Sequence, residues 1–279
     1  MPTILDGKAL SAQLKQQIAK QITSHNLTPG LAVIIVGDDA ASRIYVNAKK
    51  KDCEECGIKS FEFALDADVG EKKLLDLISE LNARPDVHGI LVQLPLPAGY
   101  SEQAVIQAIA PEKDVDAFHF ENVGRITTGD FIFLPCTPAG VMEMLDHYGI
   151  DPVGKHCVVV GRSNIVGKPQ ALLLLHRHAT VTICHSRTPD LAAMTRQADI
   201  LVAAVGKPGL ITADMVKPGA VVIDVAMNRG EDGKICGDVD FKGVSEVASH
   251  ITPVPGGVGP MTRAVLMRNT LRAAQMGDA

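Results

Sequence analysis

Two hydrophobic patterns alternate along this chain, and their order predicts an α/β protein. Leu10, Leu14, Ile18 and Ile22 recur at helical spacing behind Asp6, which predicts an amphipathic helix over 7–24 capped by that aspartate. Leu31–Val36 is an unbroken apolar run closing at Gly37, as expected of a strand buried on both faces. A long helix is expected from Ala40 to about Glu55, ended by Gly57, followed by a strand over Phe61–Leu65. Asp68 and Glu71 have the spacing of a capping box and open a helix with apolar residues at 74, 75, 77, 78 and 81. Gly89–Leu94 reads as a strand stopped by Pro95 and Pro97, and Ser101–Ala110 as a helix. Such repeated strand-to-helix alternation makes an independent unit with a parallel sheet.

Phe118–Leu134 has no clear periodicity and reads as a connecting region. From Pro138 a helix carrying Val141, Met142, Met144, Leu145 and Tyr148 runs to Gly149. The β-branched run Cys157–Val160 then stops at Gly161, passes through polar Arg162-Ser163-Asn164, and leads to a helix over Gln170–Leu175 with Pro169 near its first turn. Strand, glycine turn and helix in that order offer free N–H groups and a helix dipole to a phosphate. The spacing Gly161…Gly167 departs from G-x-G-x-x-G, and a tight turn in an α/β core has the same form. Val181–Cys184, Ile200–Val205 and Val221–Val225 repeat the strand pattern between helical segments, so this half is a doubly wound, Rossmann-like unit. Thr252–Pro260 is a Pro/Gly loop, and Thr262–Gln275 a closing helix. The expected organisation is an N-terminal α/β domain over 1–138 and a nucleotide-binding domain over 139–261. The segment 262–279 is expected to pack back on the first domain, with ligands in a cleft between the two.

Composition narrows the classes. A net charge of −5 over 279 residues gives no reason to expect nucleic acid or an anionic membrane as partner. No apolar run reaches membrane-spanning length, so a cytoplasmic protein is expected. Of the six cysteines, Cys157 and Cys184 fall inside strand candidates, while Cys53 and Cys56 form a C-x-x-C inside a helix with no second pair to complete a zinc site. Reduced core cysteines and no metal are the expectation.

Several constellations could carry chemistry. Tyr45 and Lys49 share a helix face, with Ser42 one turn earlier, and a partly desolvated lysine beside a phenol is a plausible acid/base pair. The same spacing describes a surface lysine in the run 49–51 beside a half-buried tyrosine. Gln93 at the end of its strand offers a donor and an acceptor, to a ligand or a neighbouring lysine, or simply to loop backbone. Asp114 and Asp116 in Lys113-Asp114-Val115-Asp116 would suit an amino-heterocycle, or a solvated turn. After the Val181–Cys184 strand, where an NAD site would carry an acid, stand His185, Ser186 and Arg187. Ser186 and Arg187, with Arg162, favour a 2′-phosphate and hence NADP over an exposed basic loop. Y-x-x-x-K also occurs in short-chain dehydrogenases, but there it follows the glycine turn, and here it precedes Gly161 by a whole domain.

Ser42/Tyr45/Lys49, VQLPLP (92–97), PEKDVD (111–116), PCTP (135–138), GRSNIVGKP (161–169) and PVPGGVGPMT (253–262) stand in the order found in methylenetetrahydrofolate dehydrogenase/cyclohydrolases. The chain resembles that family along essentially its whole length. The resemblance implies two α/β domains with a folate cleft, a homodimer formed through the nucleotide-binding domain, and two reactions. These are NADP⁺-dependent oxidation of 5,10-methylenetetrahydrofolate and hydrolysis of the resulting 5,10-methenyl cation to 10-formyltetrahydrofolate. By position it makes Lys49 the general acid/base of hydrolysis, assisted by Tyr45. Gln93 would tune Lys49, and Asp116 would bind the pterin edge. Val92, Leu94, Pro255, Gly256, Gly257, Val258 and Gly259 would line the folate site. Gly161, Arg162, Ser163, Ile165, Ser186, Arg187 and Met227 would meet the cofactor. The chain departs from the family pattern at Ala117, Ala139 and Ala226-Met227, of which the first and last bear on the fit of pterin and nicotinamide.

Overall fold

A computed structural model describes residues 1–230 and 233–277, and all side chains within them except those of 40–42 and 44. Its strands are β1 (Thr3–Ile4), β2 (Gly30–Val36), β3 (Lys59–Leu65), β4 (Gly89–Val92), β5 (His156–Val160), β6 (Thr180–Cys184), β7 (Ile200–Ala203), β8 (Val221–Asp224), β9 (Asn228–Arg229), β10 (Ile235–Cys236) and β11 (His250–Ile251). Its helices are α1 (Gly7–Ser24), α2 (Ala40–Cys56), α3 (Glu71–Ala83), α4 (Glu102–Ala108), α5 (Phe120–Thr128), α6 (Cys136–His147), α7 (Gly167–His176), α8 (Leu191–Thr195), α9 (Phe241–Ser245) and α10 (Val258–Gly277).

Two compact units result. One comprises 12–136 with 263–279. Its sheet has the order β3-β2-β4, with both outer strands parallel to β2. Every residue of central β2 is buried, which is why its sequence does not alternate. Ala32, Ile34 and Val36 pack with Leu74, Ile78 and Leu81 of α3 and with Ile90 of β4. Asp6 accepts from the Ala9 amide at 3.0 Å, the cap expected for α1.

The other unit comprises 1–11 with 137–262. Its six-stranded sheet has the order β1-β11-β8-β7-β5-β6 and is parallel throughout. Thr3 pairs with His250 and Ile4 with Ile251, so the first residues of the chain close one edge of this sheet. Val158, Val160, Leu201, Ala203 and Val222 form its core with Val244 and Ile251.

Four expectations are corrected. The capping box at Asp68 is absent: Gly70, at φ 84°, caps α3 without a side-chain bond, and the Glu71 carboxylate accepts from the Ser101 amide instead. The connecting region over 118–134 contains α5, whose Gly129 ends it in the left-handed conformation. Its buried face carries Asn122 beside Ile126, and that polar residue masks the helical period. Strand β4 stops at Val92, leaving Gln93 just beyond its end. The closing helix starts at Val258, with Pro260 in its first turn, where a missing N–H costs nothing.

Candidate active site

In the unit built on β2, α2 and the loop after β4 bring two polar groups together. The Lys49 amine donates to Gln93 Oε1 at 2.9 Å, and Gln93 Nε2 donates to the Leu94 carbonyl at 2.8 Å. The Gln93 amide nitrogen extends the β2–β4 ladder by donating to Ile34 O at 2.8 Å, so the side chain springs from fixed backbone. Burial pushes the Lys49 amine below its ordinary range, the nearby Asp116 carboxylate offsets this in part, and the Arg263 guanidinium adds to it. The arrangement is an amine with a lowered proton affinity, aimed by an amide whose orientation is set by two bonds. Tyr45 lies one turn before Lys49 on α2 and is 37% exposed. The Ser42 side chain lies outside the described residues.

The next turn of α2 is anchored by charge. Asp52, 2% exposed, accepts from Lys15 Nζ at 2.7 Å and pairs with Arg263 Nη1 at 2.9 Å. With both cations engaged, the carboxylate is compensated, and α2 is tied to α1 and α10 beside Lys49.

Asp116 stands in a loop held from beneath. Asp114 Oδ2 accepts from the His119 amide and from Asn122 Nδ2, both at 2.8 Å. Asn269 of α10 donates to Val115 O at 2.8 Å and to Leu134 O at 3.0 Å. Burial raises the Asp114 carboxyl to about 6, against the lowering effect of its Asn122 and His119 bonds. Burial likewise raises the Cys136 thiol, with Asp116 adding to the effect. Ala117 sits at φ 59°, in the left-handed region that favours glycine. Sequence reasoning named Asp114 as a ligand-binding partner of Asp116, whereas its carboxylate is engaged within the loop, and it missed Asn122 and Asn269; the one available signal was an asparagine in the apolar run of the closing helix.

In the unit built on β5, the turn after that strand has no room for side chains at its two glycines. A Cβ on Gly161, which sits at φ 130°, would lie 2.2 Å from Ala204 O, and one on Gly167 would lie 2.3 Å from Gly161 O. Ser163 Oγ accepts from the Val166 and Gly167 amides, each at 3.2 Å, and so takes up the first N–H of α7, whose N-cap residue Val166 has no side-chain bond. Gly161 donates to Cys184 O at 2.8 Å, which sets this turn against the end of β6 and thus near Ser186 and Arg187. Arg162, Ser163, Ile165, Ser186 and Arg187 are all exposed, and positions 185–188 contain no acid. A crowded glycine turn surrounded by hydroxyls and guanidinium groups suits a phosphorylated nucleotide.

In the same unit, the loop after β11 runs through the cis peptide Val254–Pro255. A Cβ on Gly257 would lie 2.6 Å from Pro253 O, so this glycine is required by the loop itself. Gly256, at φ 110°, accepts from the Lys8 amide at 2.9 Å. A Cβ on Gly259 would come within 3.3 Å of Met227 Sδ, and Met227 is 43% exposed.

Two family models match the chain. The tetrahydrofolate dehydrogenase/cyclohydrolase catalytic domain covers 5–116, and the NAD(P)-binding domain of the same family covers 135–278. The chain is 57% identical to a bifunctional protein FolD of Magnetococcus marinus, over 99% of this chain and 98% of the relative. Its fold is similar to the crystal structure of the bifunctional FolD methylenetetrahydrofolate dehydrogenase/cyclohydrolase of Campylobacter jejuni, with a TM-score of 0.96, 50% identity and 99% of each chain covered. It is also similar to the FolD of Trypanosoma brucei complexed with NADP cofactor and inhibitor, with a TM-score of 0.94, 37% identity, and 99% and 98% covered.

Proposed function

The chain belongs to the tetrahydrofolate dehydrogenase/cyclohydrolase family, and from that premise we propose that it carries out both family reactions with the residues described above. It is an NADP-dependent enzyme that converts 5,10-methylenetetrahydrofolate to the 5,10-methenyl cation and hydrolyses that cation to 10-formyltetrahydrofolate. NADP⁺, when bound, would supply the hydride acceptor that oxidation of the methylene carbon requires.

The residues around Gly161 suit that cofactor. The crowded turn and the start of α7 would take the pyrophosphate, and Arg162, Ser163, Ser186 and Arg187 the remaining phosphate and hydroxyl groups, with Ile165 alongside. Met227 would border the nicotinamide. Pro255, Gly256, Gly257, Val258 and Gly259 would line the folate, as would Val92 and Leu94.

Hydration of the methenyl carbon needs a group that takes a proton and gives one back. Lys49, its proton affinity lowered by burial, would accept a proton from the attacking water. It would return that proton to the pterin N5 as the carbon–N5 bond breaks, while the new hydroxyl loses its own proton to solvent. The cation plus water thus gives the formyl product and one released proton. Gln93 holds the amine toward this task, Tyr45 would assist it, and Asp116 would accept from the amino edge of the pterin. The observation that carries this reading is the directed Lys49–Gln93 bond on an amine depressed by burial.

The test is a spectrophotometric assay with methylenetetrahydrofolate and either NADP⁺ or NAD⁺, following reduced cofactor and the methenyl band together. Reduction of NADP⁺ without lasting methenyl accumulation is expected, and a failure to reduce NADP⁺ would overturn the reading. No described helix is long and apolar enough to cross a membrane. The family resemblance also supports a cytoplasmic homodimer formed through the nucleotide-binding unit, which sedimentation velocity would test.

A further inference from the structure

The loop before α9 carries a fully buried aspartate that the two reactions do not use. We propose that Asp238 is a positioning residue for the dinucleotide, its carboxylate holding the loops that follow β7 and β8 in a single shape at the carboxyl edge of the six-stranded sheet. The inference rests on the nucleotide reading of this edge given above.

Four N–H groups converge on the Asp238 carboxylate, which is 0% exposed. Oδ2 accepts from the Val205 amide at 2.6 Å and the Gly206 amide at 3.0 Å. Oδ1 accepts from the Lys207 amide at 2.6 Å and from Asn228 Nδ2 at 3.0 Å. Three consecutive backbone amides turned toward one side chain form an anion-binding concavity, and here the protein fills it with its own anion. Asn228 opens β9 at the end of the loop that follows β8, directly after Met227. One carboxylate therefore bridges the ends of β7 and β8, which are adjacent parallel strands. Ligands in such sheets lie beyond the carboxyl ends of the strands.

The bridge reaches the glycine turn. Ala204, immediately before the gripped amides, presents the carbonyl that a Gly161 Cβ would strike at 2.2 Å. Ala204 is itself fixed by donating to Val160 O at 2.8 Å. A shift of 205–207 would thus be felt at Gly161. Asp238 is aimed by a second carboxylate: Asp224, at the end of β8, accepts from the Asp238 amide at 3.0 Å and the Val239 amide at 2.8 Å. Gly237 leaves space for it, since a Cβ there would lie 1.8 Å from Asp224 Oδ2. Every donor in the cluster is an N–H, and each carboxylate oxygen of Asp238 serves two of them. An asparagine in its place would turn an NH₂ toward two of those donors in either amide orientation.

The decisive variant is Asp238→Asn, measured by calorimetric titration with NADP⁺ and by hydrolysis of methenyltetrahydrofolate supplied directly without cofactor. Positioning predicts NADP⁺ affinity lower by at least about tenfold with hydrolysis within about twofold of the parent. Affinity unchanged in a folded variant would overturn the proposal, and so would affinity and hydrolysis falling together, which marks a general loss of structure. If Asp238→Asn does not fold, Asn228→Ala removes a single donor from the bridge. A loss of NADP⁺ affinity of about threefold to tenfold then supports the proposal, and unchanged affinity overturns it. Because NADP⁺ binding is read directly, a parent protein that bound NADP⁺ but lacked either activity would overturn the proposed function and leave this test in force.

Discussion

Lys49 and Gln93 form one directed hydrogen bond, amine to amide oxygen at 2.9 Å, and the far end of the same amide is held by Leu94 O at 2.8 Å. Flipping the amide would break both bonds and set NH₂ against the amine. Gln93 therefore orients Lys49 without adding charge, which leaves burial as the largest influence on its proton affinity. Gln93→Glu would place a carboxylate at this contact and raise the Lys49 pKa by favouring the charged amine. The pH–rate profile of methenyl hydrolysis should then shift its acid limb toward alkaline pH. A limb that stays in place would show that Gln93 does not tune Lys49.

Lys49→Met keeps the length and apolar stem of the side chain and removes the proton carrier. Hydrolysis should fall by at least about a hundredfold, while circular dichroism and thermal melting stay close to the parent. Retained hydrolysis in the folded variant would remove Lys49 from the mechanism.

At the end of β6, exposed Ser186 and Arg187 stand where an acid would select NAD. Loss of a charged hydrogen-bond partner is worth about 1.5–3 kcal/mol. The double variant Ser186→Ala/Arg187→Ala should therefore lose about tenfold to a hundredfold in its preference for NADP⁺ over NAD⁺. The ratio of kcat/KM for the two cofactors reads this directly. An unchanged ratio would place 2′-phosphate recognition elsewhere, Arg162 being the next residue to test.

Ala117 follows Asp116 in a left-handed backbone conformation, φ 59°, and is fully buried. That conformation costs a residue with a Cβ about 1–2 kcal/mol. Against this, glycine would forfeit a buried methyl worth about 0.8 kcal/mol and gain freedom in the unfolded chain. These effects nearly cancel, so Ala117→Gly should leave stability within about 0.5 kcal/mol of the parent. Ala139→Gly, at a buried position of α6 with no such strain, should lose about 1–2 kcal/mol. Urea melts of the two variants side by side make the comparison, and equal losses would show that Ala117 is not strained.

The strands and helices with an apolar run or an apolar stripe were legible in the sequence. β2 and β5 are buried along nearly their whole length, and α2 ends one residue before Gly57, a glycine at φ 79°. What escaped was structure with too little length or too much polarity to leave a period. β1 and β11 are two-residue strands, recognisable only through their pairing with distant segments, β1 with β11 across the whole chain and β11 with β8. α5 turns Asn122 inward, because that side chain serves Asp114 and Pro111 O. The catalytic candidates, Gln93 among them, were visible as types at a spacing, whereas the side chains that hold the surrounding backbone were not. Asn269 supports the Val115 carbonyl from α10, and Asp238 grips amides 31 to 33 residues upstream of it. Bonds between side chains and distant backbone carry no sequence period.

Asp114 makes one part of stability depend on pH in a calculable sense. Its carboxyl titrates at about 6 in the folded protein, against an ordinary 3.8, because burial outweighs the bonds from Asn122 and the His119 amide. Between these two values the folded chain keeps a proton that the unfolded chain has lost. Stability from this group is therefore fully present below about pH 4 and falls as pH rises to about 6. It is constant above that, a total change of about 3 kcal/mol at most. Both donors to the side chain meet the same oxygen, Oδ2, so Asp114→Asn can keep them on its amide oxygen while abolishing the ionisation. The stability of Asp114→Asn relative to the parent should climb between pH 4 and 6 and level off beyond. Urea unfolding of both proteins at half-unit pH intervals would trace the difference. Parallel curves across that window would mean that Asp114 ionises in its ordinary range, and that the loop bearing Asp116 rests on a charged carboxylate already at low pH.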